Sequence, residues 1–326
     1  MENIAKHTVF PIAFAAHSKN DETRFFSTSG GIFPELAKSV LAKNGVVVGA
    51  KYTSELLVEH IMVRDIKELK SLQQSKYLSS SLKDIFKKIQ IELSLNKIVL
   101  FCGSPCQVAG LLMFLKKTYT NLITIDFICR GMNSPKAFLS WIKEIEQKEH
   151  STVEKVWFKY KQGGWNSSPT RTKVFFSNNV SKEFFGPDNK YMFGYLNSNL
   201  YIRPSCGKCS FKGTNHKSDI TLGDFWGLNQ MFDDDKGTSL VIINTESGLL
   251  LFKTINSAIV CNKVPFEESI SQNPMYKESV KLSKYRGKFL RKLNNGNFSK
   301  LLDLYMKKQN GKIKLLIKKL VRRKKQ

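Results

Sequence analysis

Two cysteines in the segment RPSCGKCSFKG carry the clearest chemical signal in this sequence. Cys206 and Cys209 have the C-x-x-C spacing, and Gly207 permits the tight turn that points both sulfurs in one direction. Thiolates at this spacing can bind one metal ion, bind two irons of one cluster, or form a redox-active dithiol. The sequence has neither a second C-x-x-C pair nor a closely spaced histidine pair, so it lacks a complete zinc-finger framework.

Two further cysteines follow apolar segments that predict strands. Cys106 comes after KIVLF, at the start of a predicted helix, and Cys129 ends LITIDFIC, just before Arg130-Gly131. Open α/β sheets bind ligands at the carboxyl ends of their strands, so these thiols can join the C-x-x-C pair in a four-thiolate set. Cys102, at the end of the first strand, is a reserve ligand.

Other interpretations of the cysteines remain open at this point. Cys106 and Cys129 can be ordinary buried thiols, and the C-x-x-C pair can be a redox switch. Cys261 follows AIV and is predicted to be a small core residue. Six cysteines in 326 residues are too few for a disulfide scaffold.

The elements that must position these residues alternate between strand and helix up to about residue 146. This alternation predicts an α/β fold, with a mostly parallel sheet and flanking helices. VEKVWFKY and RTKVFFS then predict an antiparallel hairpin, so the second half is expected to be α+β with a β-rich part. Residues 1–276 are predicted to form the main unit, with a sub-boundary near 150, and residues 277–326 a basic helical segment.

The basic charge is concentrated at the C-terminus. Residues 277–326 contain 18 Lys or Arg against two acids, although the whole chain carries +25. Ile313, Leu316, Ile317 and Leu320 form an apolar stripe, which predicts a basic amphipathic helix on an anionic membrane surface. Docking to an acidic partner or a solvated helix end are the alternatives, and no nucleic-acid motif accompanies the charge.

Hydrophobic segments give no sign of a signal peptide or of a membrane span. No stretch approaches the ~20 apolar residues that a spanning helix needs. The short apolar run after His7 is followed at once by polar residues, unlike a signal peptide. A cytoplasmic location is expected, with peripheral attachment to the inner face of the membrane through the basic helix as an option.

Several residues could contact an anionic cofactor. Ser29, Gly30 and Gly31 precede a predicted helix and can seat a phosphate, although a plain helix start explains them too. Lys76 and Tyr77 could reach a phosphate or a ring, or could belong to an exposed loop.

Two later segments add polar candidates. Asp224 ends the strand in SDITLGDFWG and could hydrogen-bond a flavin or a loop N–H. Lys159, Lys161 and Trp165 could line an anionic substrate pocket, and the alternative is a solvated hairpin tip.

Three segments in order, GSPCQVAGL, DFICRGMNSPKAF and CGKCSFKGTNHKSDITLGDFWG, resemble the beta-subunit family of coenzyme F420 hydrogenases and dehydrogenases. The resemblance implies a flavin, usually FAD, and a 4Fe–4S cluster that exchange electrons, in some members with F420. It implies that Cys106, Cys129, Cys206 and Cys209 bind the cluster and that Ser29, Gly30 and Gly31 lie against the flavin.

The chain departs from this family in two ways. It has no N-terminal run of closely spaced cysteines, so its electrons must come from another protein, ferredoxin-like or another redox subunit. Arg130 stands where the family often has His. The resemblance also implies a possible place in surface polysaccharide biosynthesis. The leading hypothesis is an iron–sulfur flavoprotein oxidoreductase; the rivals are a metal-stabilised adaptor and a polysaccharide-pathway protein without redox activity.

Overall fold

The computed structural model describes residues 9–166, 171–228 and 233–309, whose strands form two sheets. The strands are β1 (Ile12–Ser18), β2 (Val46–Tyr52), β3 (Val58–Val63), β4 (Ser80–Ser81), β5 (Val99–Cys102), β6 (Leu122–Phe127), β7 (Val153–Phe158), β8 (Thr172–Phe176), β9 (Ser181–Phe184), β10 (Ile220–Asp224), β11 (Ser239–Ile243) and β12 (Ile259–Val264). The nine-stranded sheet has the order β12-β1-β11-β10-β6-β5-β2-β3-β4, and β7-β8-β9 form a separate antiparallel sheet.

Parallel pairing is confined to the centre of the large sheet and to its β3–β4 edge. β2, β5, β6 and β10 pair in parallel, whereas β11, β1 and β12 continue the sheet in antiparallel fashion. The central strands are short apolar runs because helices cover both faces of the sheet. The predicted α/β fold with an antiparallel β-rich part is therefore confirmed.

The helices pack on both faces of the sheet. They are α1 (Asp21–Phe25), α2 (Ile32–Leu41), α3 (Ile66–Leu69), α4 (Ile85–Ser94), α5 (Pro105–Leu115), α6 (Pro135–Glu149), α7 (Lys190–Asn197), α8 (Glu246–Lys253), α9 (Phe266–Ser271), α10 (Pro274–Lys277) and α11 (Arg286–Lys292). Residues 298–309 are also helical. α2 and α8 share a core with Leu100, whereas α4 and α5 share a core with Phe101 on the opposite face.

Strands from both sides of the predicted sub-boundary near 150 belong to the large sheet. The hairpin β7–β8 begins at Val153, as predicted, but β10, β11 and β12 return to the large sheet. The small sheet packs with α6, α7 and α11 in an aromatic core around Trp141 and Tyr191.

The C-terminal segment is described only to residue 309. α11 and residues 298–309 pack into the aromatic core through Phe289, Phe298 and Leu302. The predicted amphipathic stripe at Ile313–Leu320 lies outside the described residues. Among the described helices, none is long and apolar enough to cross a membrane.

Candidate functional site

Four cysteines meet at the carboxyl edge of the parallel strands. Cys106 is the second residue of α5, directly after β5, and Cys129 lies in the loop after β6. Cys206 lies in a 3₁₀ turn at Pro204–Lys208, and Cys209 follows that turn. Cys106 is exposed, whereas the other three thiols are half-buried.

The mutual influence of these thiols shows that they are neighbours. Burial raises the pKa of Cys129 to about 12, Lys212 opposes this rise, and the Cys206 and Cys106 thiols add to it. Burial also raises the pKa of Cys206, and the Cys106 and Cys209 thiols raise it further. Thus the three segments that carry the cysteines converge on one place.

Gly131 lets the Cys129 loop approach the Cys206 turn. Its φ of +141° favours glycine, and a Cβ there would lie 2.8 Å from Cγ2 of Ile202 and 3.3 Å from Cβ of Cys206. Glycine at this position therefore brings the two cysteine segments together.

Hydrogen-bond donors and cations surround the thiols. The Met132 N–H donates to the Cys206 sulfur (3.4 Å), and the Ser104 hydroxyl lies 3.2 Å from the Cys106 sulfur. Lys212 Nζ donates to the Cys129 carbonyl (2.6 Å). Burial lowers the pKa of Lys212, whereas the Cys129, Cys209 and Cys206 thiols raise it. Positive charge and N–H donors stabilise thiolates and tune iron–sulfur clusters.

This donor set fits a four-iron cluster. Among residues 9–166, 171–228 and 233–309, no three His, Cys, Asp or Glu side chains converge on a single metal ion. A four-iron cluster needs no such convergence, because each of its irons takes one thiolate from a different direction. Four thiols from three neighbouring segments, with N–H donors and cations beside them, are the kind of donor set that such a cluster takes.

Cys102 lies in different surroundings from the four thiols. Burial raises its pKa to about 12, with Asp126 and Lys76 as the charged neighbours. Its carbonyl lies 3.1 Å from Nε2 of His60. Cys261 lies in edge strand β12, opposite Ala16, and packs against the core.

The second polar group of the site is built on the end of β10. The Lys159 ammonium bonds the Asp224 carboxylate and lies 5.0 Å from the Trp226 ring centre and 5.5 Å from that of Trp165. The two indole rings are 4.8 Å apart. A lysine ammonium is attracted to the quadrupole of a tryptophan ring. These four residues therefore form a compact group, which we call the charged box.

Lys161 closes the hairpin onto the N-terminal part of the chain. It is 6% exposed, and its ammonium donates to the carbonyls of Arg24, Ser29 and Lys236. Lys159 is also buried, at 8% exposure. The alternative of a solvated hairpin tip is therefore wrong for both lysines.

The Ser29–Gly31 loop lies directly beside this box. Trp165 Nε1 donates to the Thr28 carbonyl (3.0 Å), and the Ser29 hydroxyl donates to the Thr238 carbonyl (2.7 Å). Gly31, with φ of +85°, directly precedes α2. The Thr238 hydroxyl is buried and has no hydrogen-bond partner among the described residues, so it is available to a bound polar group.

Gly30 is required by packing, because a Cβ there would lie 2.3 Å from the Ala16 carbonyl oxygen. We expect Gly30→Ala to lower the free energy of unfolding by about 2 kcal/mol or more through overpacking. Gly287→Ala is the matched control, since a Cβ at that helical position meets nothing within 4 Å. Urea unfolding checks both variants; a Gly30→Ala protein as stable as the wild type would contradict this packing.

Lys76 and Tyr77 are adjacent in sequence but face different surroundings. The Lys76 ammonium donates to the carbonyls of residues 71–74 of its own loop, and burial lowers its pKa to about 7. Burial raises the pKa of Tyr77, and the Asp224 carboxylate adds to that rise. Tyr77 thus belongs with the charged box, while the predicted role of Lys76 at a cofactor stays a prediction.

Aromatic rings connect the charged box with the thiols. The Tyr77 ring lies 5.4 Å from that of Tyr195. Burial raises the pKa of Tyr195, and the Cys129 thiol and Tyr77 add to that rise, so Tyr195 lies near both the thiols and Tyr77. Arg130 covers the Tyr195 ring at 4.9 Å and donates to the Tyr195 and Leu196 carbonyls.

Sequence reasoning missed three residues of this region. Lys212 and Tyr195 contact the cysteine segments, and Arg286 lies beside Cys206 while its Nε donates to the Ile202 carbonyl (2.5 Å). Lys212 follows Cys209 closely in CSFKG and could have been noticed as a cation beside the thiols. Tyr195 and Arg286 come from distant helices without a local signal.

Comparisons with known proteins agree with the resemblance. The sequence profile for the C-terminal part of the beta subunit of coenzyme F420 hydrogenase/dehydrogenase matches residues 96–269. The fold is similar to a chain of the xenon-derivatised F420-reducing NiFe hydrogenase complex from Methanosarcina barkeri, with a TM-score of 0.53 and 16% identity. That similarity covers 90% of this chain and 89% of the other, and it concerns the fold alone. No curated protein matches the sequence.

Proposed function

The chain belongs to the coenzyme F420 hydrogenase/dehydrogenase beta-subunit family, and from this premise we propose that it is an iron–sulfur flavoprotein oxidoreductase. Its electrons would pass between a 4Fe–4S cluster and FAD, and on to F420 or another two-electron acceptor. The observation that carries this proposal is the convergence of Cys106, Cys129, Cys206 and Cys209 beside donors and cations.

The residues divide the work between two adjacent places. Cys106, Cys129, Cys206 and Cys209 would hold the cluster. The Ser29–Gly31 loop, Tyr77, Asp224 and the Thr238 hydroxyl would face the flavin. When bound, the cluster supplies one-electron transfer and the flavin supplies two-electron hydride chemistry.

The protein's own groups provide the electrostatics and the separation from water. Lys212 places positive charge beside the Cys129 thiol, which favours the thiolate form needed for iron binding. The Tyr77 and Tyr195 rings lie 5.4 Å apart, with Asp224 near Tyr77 and the Cys129 thiol near Tyr195, and would keep water from this region. Asp224 holds the Lys159 ammonium in place, so that the cation is fixed beside the two indole rings.

A redox role requires an electron source. The neighbour from Methanosarcina barkeri is part of a hydrogenase complex. We therefore propose an electron-donor protein as a partner of this chain. The structure adds no observation that favours the rival adaptor role over the redox role.

The visible spectrum of anaerobically purified protein tests the proposal. We expect flavin bands on a broad iron–sulfur absorption, with about four irons and about one FAD per chain. Metal analysis and acid release of the flavin provide the counts. A colourless protein that contains zinc would contradict the redox function and favour the adaptor.

A further inference from the structure

Helix α5 combines two features that the proposed function leaves unexplained. Its second residue is Cys106, the exposed member of the thiol group, and its residues from Pro105 to Leu115 include no charged side chain. Its solvent side carries three consecutive apolar residues, Leu112, Met113 and Phe114, of which Met113 is 79% exposed. A run of three exposed apolar residues on one short helix is typical of a docking surface rather than of a solvated helix.

The helical repeat places Met113, the most exposed of these residues, on the side of Cys106. Met113 is seven residues after Cys106, which is about 20° short of two full turns and about 10 Å along the axis. Gly110 lies between them on the same stripe, and a Cβ there would meet only the Phe86 ring, at 3.7 Å. The stripe from Cys106 to Met113 is therefore a low surface that a partner could approach closely.

Phe86 of α4 extends this apolar surface. Its ring lies 5.8 Å from that of Phe114, so α4 and α5 present aromatic groups side by side. We call Phe86, Leu112, Met113 and Phe114, together with Cys106, the α5 surface.

Lysines border the α5 surface. Lys116 and Lys117 follow the end of α5, and Lys87 and Lys88 follow Phe86 on α4; all four are exposed. Asp84, just before α4, offsets the charge of Lys88, and Glu92 is paired with Arg64, so Lys87, Lys116 and Lys117 supply the net positive charge. The border is therefore basic, so its charge is complementary to that of an acidic partner.

We propose that the α5 surface docks a small acidic electron-carrier protein. This inference rests on the proposed function, because it assigns the electron-donor partner to one surface. An apolar centre with a basic border suits a weak, charge-steered encounter, and electron-transfer complexes of this kind bury less than about 1,200 Å². Cys106 is the point at which the thiol site comes nearest to such a partner.

A binding titration tests the proposal without relying on a bound cluster. The probe is a fluorescently labelled, acidic plant-type 2Fe–2S ferredoxin, titrated with the full chain at low and at physiological salt. We expect Met113→Glu to weaken binding about tenfold, because the new carboxylate faces an acidic probe. The pair Lys116→Glu and Lys117→Glu should weaken it similarly and reduce its salt dependence.

Matched controls separate this surface from the overall basic charge. Leu250→Glu makes the same type of change at an exposed residue of α8, on the opposite face of the sheet. Lys307→Glu with Lys308→Glu changes two exposed lysines in the basic C-terminal segment. Both controls should bind the probe as the wild type does, apart from a small effect of net charge.

The outcomes distinguish the two proposals. If the wild-type chain does not bind the ferredoxin, or if Met113→Glu binds as the wild type does, the docking proposal is overturned. If Lys307→Glu with Lys308→Glu weakens ferredoxin binding more than Met113→Glu does, the proposal is also overturned, because binding would then use the basic C-terminal segment. Iron and flavin analysis of the same samples reports separately on the proposed function.

Discussion

Cys206→Ser is expected to remove most of the iron from the purified protein and to abolish the broad iron–sulfur absorption. A serine hydroxyl is a poor ligand for iron in a cluster that is held by thiolates. Cys206 lies near the other three thiols, since its thiol influences or is influenced by Cys106, Cys129 and Cys209. Losing one of the four thiolates should therefore release the cluster.

The chain offers two matched controls for this change. Cys102→Ser alters the thiol that the sequence offers as a reserve ligand, and Cys261→Ser alters a thiol packed against the core. Both should keep the iron content and the spectrum of the wild type. Iron loss in Cys102→Ser together with full iron in Cys206→Ser would show that the ligand set is wrong.

The fold should survive the loss of the cluster. Cys206 is only half-buried, and the change from sulfur to oxygen is small. Far-UV circular dichroism should therefore match the wild type, whereas limited proteolysis should increase in the loops around residues 129–132 and 204–212. Unfolding of the whole protein would instead mean that the cluster is needed for folding.

Local sequence rules suggested the cysteines of the site but did not select them. A strand that ends in a loop at the carboxyl edge of a parallel sheet brings its next residues to a shared place, which is why Cys106 and Cys129 could be assigned beside Cys206 and Cys209. The choice between Cys102 and Cys106 needed the resemblance. The structure supplies the physical difference: Cys102 is still part of β5 and packs with the core around Leu100, whereas Cys106 begins the helix on the opposite face.

The charged box could not be derived from the sequence in the same way. Lys159 and Lys161 look like residues of a polar hairpin tip, and their burial depends on contacts with residues far away in the chain. Lys161 meets the carbonyls of Arg24 and Lys236, and Lys159 meets Asp224. Propensity and periodicity contain no information about such long-range closure, so the box appears only when the hairpin, β10 and the Ser29 loop are assembled.

The return of the chain to the large sheet through β10, β11 and β12 also could not be predicted from the sequence. β10 follows β6 by about a hundred residues in sequence, yet Thr221 lies opposite Asp126 in parallel pairing. The Asp126 carboxylate is fully buried and accepts from the Thr221 hydroxyl (2.6 Å), with Nδ1 of His216 at 2.7 Å. This network fixes the strand that carries Asp224 to β6, the strand that Cys129 follows, and no local pattern predicts it.

Asp224→Asn is the second change with a large expected effect, because it leaves the buried Lys159 ammonium without its counter-charge. Removing one partner of a buried ion pair costs more than the pair is worth, since the remaining charge stays desolvated. The asparagine oxygen can still accept from Lys159, so we expect a loss of about 2–3 kcal/mol in the free energy of unfolding. Urea unfolding followed by tryptophan fluorescence is suitable, because Trp165 and Trp226 lie beside Lys159.

The same change should also reduce the flavin content if Asp224 faces the flavin as proposed. Asp84→Asn is the control for stability, since Asp84 forms an exposed pair with Lys88 on α4 and its loss should leave the unfolding midpoint unchanged. Combining Asp224→Asn with Lys159→Met should recover part of the stability, because the stranded charge is then absent. If Asp224→Asn unfolds at the same urea concentration as the wild type, the Lys159–Asp224 pair makes no net contribution to stability. If the variant also keeps its full flavin content, Asp224 is not a flavin contact.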